Sequence, residues 1–213
     1  MFRVICLLLI ATNGGFAQRL SVGVVAGASP TEAFKDTTYP GPSPQVHGDR
    51  HYSESKDYLI GAALELHFNP RWSLEVDGLF RQLHLTSAVV AADGALSRIS
   101  PGPVVTWQFP FLAKYRISSG RLRPFIEGGP SLRTAGNLNG FNPSHYGGTV
   151  GAGIAWRWRS VNIAPTVRFT RWGEDSVNCR PRSAQNQLEL LASFSSDTAS
   201  DWRLPRCSAR HES

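Results

Sequence analysis

Residues 58–84, YLIGAALELHFNPRWSLEVDGLFRQLH, contain two segments of strict two-residue alternation separated by Asn69-Pro70-Arg71. One face of the two segments is apolar and mostly large, with Tyr58, Ile60, Ala62, Leu64, Leu66 and Phe68 followed by Trp72, Leu74, Val76 and Phe80. The other face places Glu65, Glu75, Asp77 and Arg81 beside glycine and alanine. A period of two predicts β-strands. Charged groups on a small-residue face, opposite large apolar groups, are typical of a barrel with lipid outside and a polar interior. A soluble sheet can show the same alternation, so the rest of the chain must decide.

Six further segments alternate in the same way, at residues 19–28, 104–117, 123–135, 148–158, 161–171 and 185–194. The connections alternate in length: residues 29–57, 86–103, 136–147 and 173–184 are long, and residues 69–71, 118–122 and 159–160 are short. Transmembrane barrels have short turns at one end and long loops at the other. The sequence therefore predicts an all-β fold, an eight-stranded antiparallel up-and-down transmembrane β-barrel. Because of Pro40, Pro42 and Pro44, no regular strand pairing is expected within 29–57.

The N-terminus, MFRVICLLLIATNGGFAQ, has the outline of a secretory signal peptide. Arg3 precedes an apolar run that is too short to span a bilayer as a helix, and small residues lead up to Ala17. We expect residues 1–17 to be the signal peptide, residues 18–194 the outer-membrane barrel, and residues 195–213 a polar C-terminal tail. No later window has the roughly twenty consecutive apolar residues of a membrane helix.

The chain has a formal net charge of +6. Its basic residues are dispersed, so nucleic acid is not an expected partner. Cys179 falls in the last long connection and Cys207 in the tail. An even number of strands puts these two segments at opposite ends of the barrel. We therefore expect no disulfide between the two cysteines.

Aromatic residues gather where the predicted strands meet the short turns. The predicted aromatic girdle is Phe68, Trp72, Tyr115, Trp156 and Trp158. Phe125 also flanks the second short turn. Aromatic rings favour the headgroup level of a membrane, which would place this end of the barrel at one bilayer interface.

Three segments, WQFPFLAKYR (107–116), RPFIEGGPSLR (123–133) and RFTRWGED (168–175), resemble the small outer-membrane β-barrel family of Gram-negative bacteria, of the OmpA-barrel and opacity-protein type. The resemblance covers about residues 1–194. It implies an eight-stranded barrel in the bacterial outer membrane with its long loops outside the cell. It further implies outer-membrane lipid and the barrel-assembly machinery as partners.

Strand parity assigns a set of charged residues to the barrel lumen. The predicted lumen charge network is Glu65, Glu75, Asp77, Arg81, Lys114, Arg116, Glu127, Arg133, Arg157, Arg168 and Glu189. An eight-stranded barrel is just wide enough for side chains to fill it. Unpaired charges in so narrow a space would cost several kcal/mol each, so we expect these residues to pair and to plug the lumen.

No nucleophile elbow, P-loop, zinc-binding His motif or C-x-x-C motif occurs in the chain. The sequence accordingly predicts no enzyme, no catalytic residue, no metal and no cofactor. The leading hypothesis is a structural or surface-interaction role, with the outward loops contacting an unknown extracellular ligand. A narrow porin-like channel for ions or small solutes is the first alternative. A secreted lipocalin-like binder of a small hydrophobic ligand is the second.

Overall fold

The computed structural model describes residues 19–43, 46–53, 57–83, 85–91, 96–99, 104–118, 120–135, 144–158, 161–175 and 182–197. The predicted signal peptide, Cys179, Cys207 and the part of the predicted tail beyond Asp197 lie outside these residues. The expectations about them therefore stay predictions.

Twelve strands occur within the described residues. They are β1 (Arg19–Ser29), β2 (Thr37–Ser43), β3 (Val46–Ser53), β4 (Asp57–His67), β5 (Trp72–Leu83), β6 (Leu85–Ala91), β7 (Leu96–Ile99), β8 (Val104–Arg116), β9 (Leu122–Ala135), β10 (Tyr146–Trp158), β11 (Val161–Trp172) and β12 (Asn186–Asp197). Eight of them close an antiparallel barrel in the order β1-β12-β11-β10-β9-β8-β5-β4. The pairing of β1 with β12 closes the ring, in a register that sets Val24 opposite Phe194. The predicted eight-stranded antiparallel barrel is confirmed. No described residues form a helix that is long and apolar enough to cross a membrane.

The two faces of the barrel strands differ in the sense that the alternation predicts. Large apolar side chains stand exposed on the outer wall of every barrel strand, among them Val24, Ile60, Leu74, Phe111, Ile126, Val150, Val167 and Leu190. The alternate residues point inward and are mostly buried. Apolar groups outside and polar groups inside are the reverse of a water-soluble barrel.

The interior has an apolar sector and a charged sector. Val25, Leu59, Ala63, Leu79 and Leu191 pack together as a buried cluster on β1, β4, β5 and β12. The buried charged side chains lie mainly on β4, β5, β8 and β9. The lumen is therefore filled partly by hydrocarbon and partly by ion pairs, and β4, β5 and β12 contribute to both.

The remaining four strands form a second sheet in the order β2-β3-β6-β7. This order repeats that of the barrel strands which precede or follow them in the chain, β1-β4-β5-β8. The register changes between the two sheets. Ser53 pairs with Leu85 in the second sheet, and Leu59 pairs with Arg81 in the barrel. Five residues lie between Ser53 and Leu59, but only three lie between Arg81 and Leu85. The sheet belongs to the first two long connections. It extends the part of the barrel wall formed by β1, β4, β5 and β8 beyond the long-loop end.

The expectation that proline excludes regular pairing from residues 29–57 is wrong. Strand β2 contains Pro40 and Pro42, and Pro40 pairs with Gly48 on β3. The physical reason is position: β2 is an edge strand of its sheet, where a residue without an N–H need not donate to a second neighbour. The register shifts between Pro40 and Ser43, as an irregular edge would require.

Asp36, which precedes β2, forms a two-point ion pair with Arg50 on β3. Arg50 Nε and Nη2 lie 3.1 and 2.5 Å from the two carboxylate oxygens. The hydrogen bond from Arg50 lowers the pKa of Asp36. This pair stabilises the sheet above the unfolded-state pKa, and its contribution is lost as the pH falls through the lowered folded-state pKa. Both side chains are nearly half exposed, so the contribution is at most about 1 kcal/mol.

Asp175 joins three connections at the long-loop end. Its carboxylate accepts hydrogen bonds from the backbone N–H of Ser144 at 2.8 Å and from that of Ser183 at 2.6 Å. Ser183 in turn pairs with Phe34, which is buried. The segments after β1, before β10 and before β12 are thus tied together over this end of the barrel.

Two glycines provide a test of the wall packing. A Cβ at Gly129 on β9 would collide with the carbonyl oxygen of Phe111 on β8, whereas a Cβ at Gly148 on β10 would meet nothing within 4 Å. We expect Gly129→Ala to lower the free energy of unfolding by about 1–3 kcal/mol, as overpacking does. Gly148→Ala should leave it unchanged or raise it by up to about 1 kcal/mol. Equilibrium urea unfolding of the refolded variants measures both. Equal changes in the two variants would contradict this packing.

Candidate functional site in the barrel lumen

The charged sector of the lumen is built on one continuous row of paired residues. Lys114 pairs in register with Glu127, Glu127 with Gly151, Gly151 with Arg168, and Arg168 with Glu189. All five share the inward parity, so the four charged side chains enter the lumen from β8, β9, β11 and β12, with Gly151 of β10 between them. Gly151 leaves the necessary space: a Cβ there would lie 2.9 Å from Glu127 Oε1 and 3.0 Å from Arg168 Cγ.

Arg168 crosses the lumen. Its Nε donates to Glu127 Oε1 at 2.5 Å, Nη1 to Asp77 Oδ2 at 2.5 Å and Nη2 to Glu75 Oε1 at 2.7 Å. Strands β11 and β5 are four positions apart in the eight-strand ring, so this side chain joins opposite walls. The guanidinium has five donors in a fixed planar fork, which allows it to bind several carboxylates at once.

Lys114 shares the same carboxylates from a third direction. It donates to Glu75, lies 3.6 Å from Glu127 and approaches Glu65 at 4.0 Å. Its ammonium group also stands 4.6 Å from the centroid of the Phe125 ring. Phe125 lies at the short-turn end as expected, but it is buried and faces inward, so it does not meet the outer surface there. The strand parity that puts Glu127 inside also puts Phe125 inside.

A second group of charges lies toward the short turns. Arg116 pairs with Glu65 and donates to Ser73 Oγ at 3.1 Å. Ser73 Oγ donates to Glu65 Oε1 at 2.5 Å. Below Lys114, hydrogen bonds therefore join β8, β5 and β4, three successive strands of the ring, on the inner side of one wall.

A third group lies toward the long loops, and three of its members, Asp57, Gln187 and Trp172, were absent from the predicted network. Arg81 Nη2 lies 2.9 Å from Asp57 Oδ2, and its Nη1 donates to Gln187 Oε1 at 2.8 Å. Trp172 Nε1 donates to the same oxygen at 2.9 Å. Asp57 had been assigned to the end of the first long connection. Continuing the Leu59-Gly61-Ala63 parity by one step would have found it.

Three predicted lumen residues do not join the central pairs in the expected way. Glu189 is buried beside Arg168, but its Oε1 has no hydrogen-bond partner among the described residues. Arg133 donates to the Ser144 carbonyl at 2.9 and 3.1 Å and lies 4.3 Å over the Trp172 ring. Arg157 is exposed and lines a cavity at the short-turn end.

The five predicted girdle residues share one end of the outer wall. Phe68, Trp72, Trp156 and Trp158 are exposed there, and Tyr115 is half-buried against Trp72 at a centroid separation of 4.8 Å. The Trp156 and Trp158 rings stack, with centroids 6.3 Å apart.

The geometry of the lumen fits charge pairing better than proton transfer. Glu75 and Asp77 are the neighbouring carboxylates that could form an acid–base pair, and both are held by Arg168. Among the described residues, no group of three His, Cys, Asp or Glu side chains could hold a metal ion. What this arrangement can do is join six strands across their common interior.

Comparison with solved structures places the fold. The chain is similar to the outer membrane protein OprG from Pseudomonas aeruginosa, with 10% identity, a TM-score of 0.54, and coverage of 84% of this chain and 93% of that one. It is also similar to Neisserial surface protein A (NspA), with 12% identity, a TM-score of 0.50, and coverage of 84% and 96%. No protein-family model and no curated protein matches the sequence. The chain therefore has the fold of the small bacterial outer-membrane β-barrels, and the predicted resemblance is confirmed at that level.

Arg168 provides the test of the network. Arg168→Met should lower the free energy of unfolding by about 3–5 kcal/mol, because it leaves three buried carboxylates without their shared cation. Arg168→Lys should lower the free energy of unfolding by less than Arg168→Met does, but it should not restore the wild-type value, since a point charge cannot reproduce a planar fork. Urea unfolding measures both.

Arg171→Met is the matched control on the same strand, since Arg171 is exposed. It removes the same charge and should not lower stability by more than about 0.5 kcal/mol. A loss as large as that of Arg168→Met would mean that net charge, not the cross-lumen contacts, sets the stability.

Proposed function

We propose that the chain is an integral protein of the bacterial outer membrane, exported by its N-terminal signal, whose lumen is closed by ion pairs and whose long loops make contacts outside the cell. The observation that carries the proposal is the inverted barrel. Val24, Ile60 and Val150 are each more than half exposed on the outer wall, while Glu75, Asp77 and Arg168 are buried within. Water would penalise such an exterior, and lipid would not.

The filled lumen supports a structural role over transport. Arg168 and Lys114 bring β11, β8, β9 and β5 together at mid-height. Arg116 joins β8 to β4 below that level, and Arg81 reaches from β5 to Gln187 on β12 above it. A solute would have to break several buried ion pairs to pass. Each broken pair costs several kcal/mol.

The second sheet supports contacts beyond the membrane. It is held together by backbone pairing along β3 and β6 and by the Asp36–Arg50 ion pair. An ordered extension at the long-loop end offers a defined surface to an extracellular partner. Long loops of such barrels face outward, so the proposed side is outside the cell.

If the barrel is inserted in a membrane, the free-energy cost of an arginine on the outer wall should depend strongly on its depth. Val150, in the middle of β10, and Leu122, at the start of β9, are both 60% exposed. In a bilayer, Val150→Arg should cost about 2–4 kcal/mol of unfolding free energy, while Leu122→Arg near the interface should cost about 0–1 kcal/mol. Urea unfolding from lipid vesicles measures the difference.

A soluble barrel, including a lipocalin-like binder, would treat these two equally exposed positions alike. The wild-type protein should also need detergent for extraction and should migrate differently on gels before and after heating. Release into the aqueous fraction without detergent, together with equal costs for the two arginines, would overturn the membrane assignment.

The narrow channel remains the second candidate, because a cavity of about 490 Å³ opens into the lumen at the short-turn end. Conductance in planar bilayers separates it from the closed barrel. We expect no large steady currents from the pure wild-type protein. Arg168→Ala, which removes the side chain crossing the lumen, should open more often than wild type, and Arg171→Ala should not. Large steady wild-type channels would overturn the closed-lumen proposal.

A further inference from the structure

The cavity at the short-turn end, hereafter the vestibule, is lined mainly by basic and neutral polar side chains among the described residues. Four cationic side chains and one carboxylate occur among the described residues that line it: Lys114, Arg116, Arg123, Arg157 and Glu65. Arg116, Arg123 and Arg157 come from β8, β9 and β10, three successive strands of the ring. Asn162, Ser193 and Ser195 face them from β11 and β12 and provide neutral hydrogen-bonding groups.

The floor of the vestibule is closed. Arg116 pairs with Glu65 there, and Lys114 is held by Glu75 and Glu127 deeper in the lumen. The one lining carboxylate is thus neutralised by a neighbour at the floor. Arg123 and Arg157 stand nearer the mouth, where Arg123 Nε donates to the Gly120 carbonyl and Arg157 Nε to Asn162.

The two charged side chains nearer the mouth, Arg123 and Arg157, have the same sign. A cleft that is lined by one sign of charge and enclosed by low-dielectric walls attracts counter-ions. Its volume of about 490 Å³ is that of a small-molecule site. Phe68, Phe125 and Ala164 contribute apolar wall, so the pocket can hold more than an inorganic ion.

We propose that the vestibule binds a small soluble organic phosphate, with the phosphate between Arg123 and Arg157 near the mouth. A phosphate monoester carries a charge of about −1.5 to −2 at neutral pH, which matches two arginines better than a single carboxylate does. Arginine forks bind phosphate oxygens in pairs. Because Lys114 and Arg116 are already engaged by carboxylates at the floor, the phosphate lies at the mouth and the apolar wall is left to the organic part.

Isothermal titration calorimetry on the full-length protein, folded in zwitterionic detergent, tests this site. The probes are inorganic phosphate and glycerol 3-phosphate at constant ionic strength, with chloride as the reference anion. We expect saturable one-site binding of both, tighter for glycerol 3-phosphate. Arg157→Gln and Arg123→Gln should each weaken binding at least about tenfold, as loss of a charged hydrogen bond does.

Arg71→Gln is the matched control. Arg71 is exposed in the first short turn at the same end of the barrel but does not line the vestibule. The Arg71→Gln variant should bind glycerol 3-phosphate with the affinity of the wild-type protein. Heat-modifiable gel mobility confirms that each variant is folded before titration. Absence of saturable binding, or equal weakening in Arg71→Gln and Arg157→Gln, would overturn the proposal.

A lipid headgroup could supply the same phosphate chemistry, so a second arm uses nanodiscs. Glycerol 3-phosphate affinity should be the same in phosphatidylcholine discs with and without phosphatidylglycerol. Binding that is lost when phosphatidylglycerol is present would assign the site to the lipid and overturn the soluble ligand. Neither arm depends on conductance, so this proposal can fail while the closed-lumen proposal stands.

Discussion

The Arg168 guanidinium bridges the two opposite walls of the barrel, and much of the interior is arranged around it. Three carboxylates from β5 and β9 converge on it, and Lys114 shares two of them. Charges buried this deeply are tolerated only when paired with good geometry. Gly151 is part of the same constraint, because any side chain there would occupy the space between Glu127 and Arg168.

The ion pairs also explain why the barrel can present hydrocarbon outward. A small soluble domain folds by burying its apolar residues, but here many of those residues stand on the outer wall. The interior is left with a small apolar cluster around Leu59 and Leu79, together with the charged sector. Polar contact across the lumen therefore comes from Arg168 and Arg81, while Lys114 and Arg116 join neighbouring strands of one wall. Lipid against the outer wall would supply the hydrophobic stabilisation that the core lacks.

Strand alternation was enough to predict the barrel and the inward side of ten of its charged residues, because parity fixes the face of every residue in a strand. Alternation could not predict which charged side chains pair with each other, since that depends on which strands face each other across the ring. Arg133 and Arg157 have the right parity but lie at the two ends. The alternation did not predict the second sheet. Pro40 and Pro42 argue against an interior strand, but they do not exclude an edge strand. Asp57 was missed because a strand boundary was drawn one residue late.

The two ends of the barrel differ in a way that bears on function. At the long-loop end, Asp175 ties three connections together over Trp172 and Gln187, and Arg81 and Asp57 close the lumen beneath them. At the short-turn end, the turns are too brief to cover the opening, and the vestibule reaches inward as far as Lys114. On the proposals above, we expect a ligand of the lumen to enter from the short-turn side and a partner at the long-loop end to bind to the outer surface. The ion pairs around Arg168 lie between the vestibule and the long-loop end, so they close the path through the lumen from one to the other.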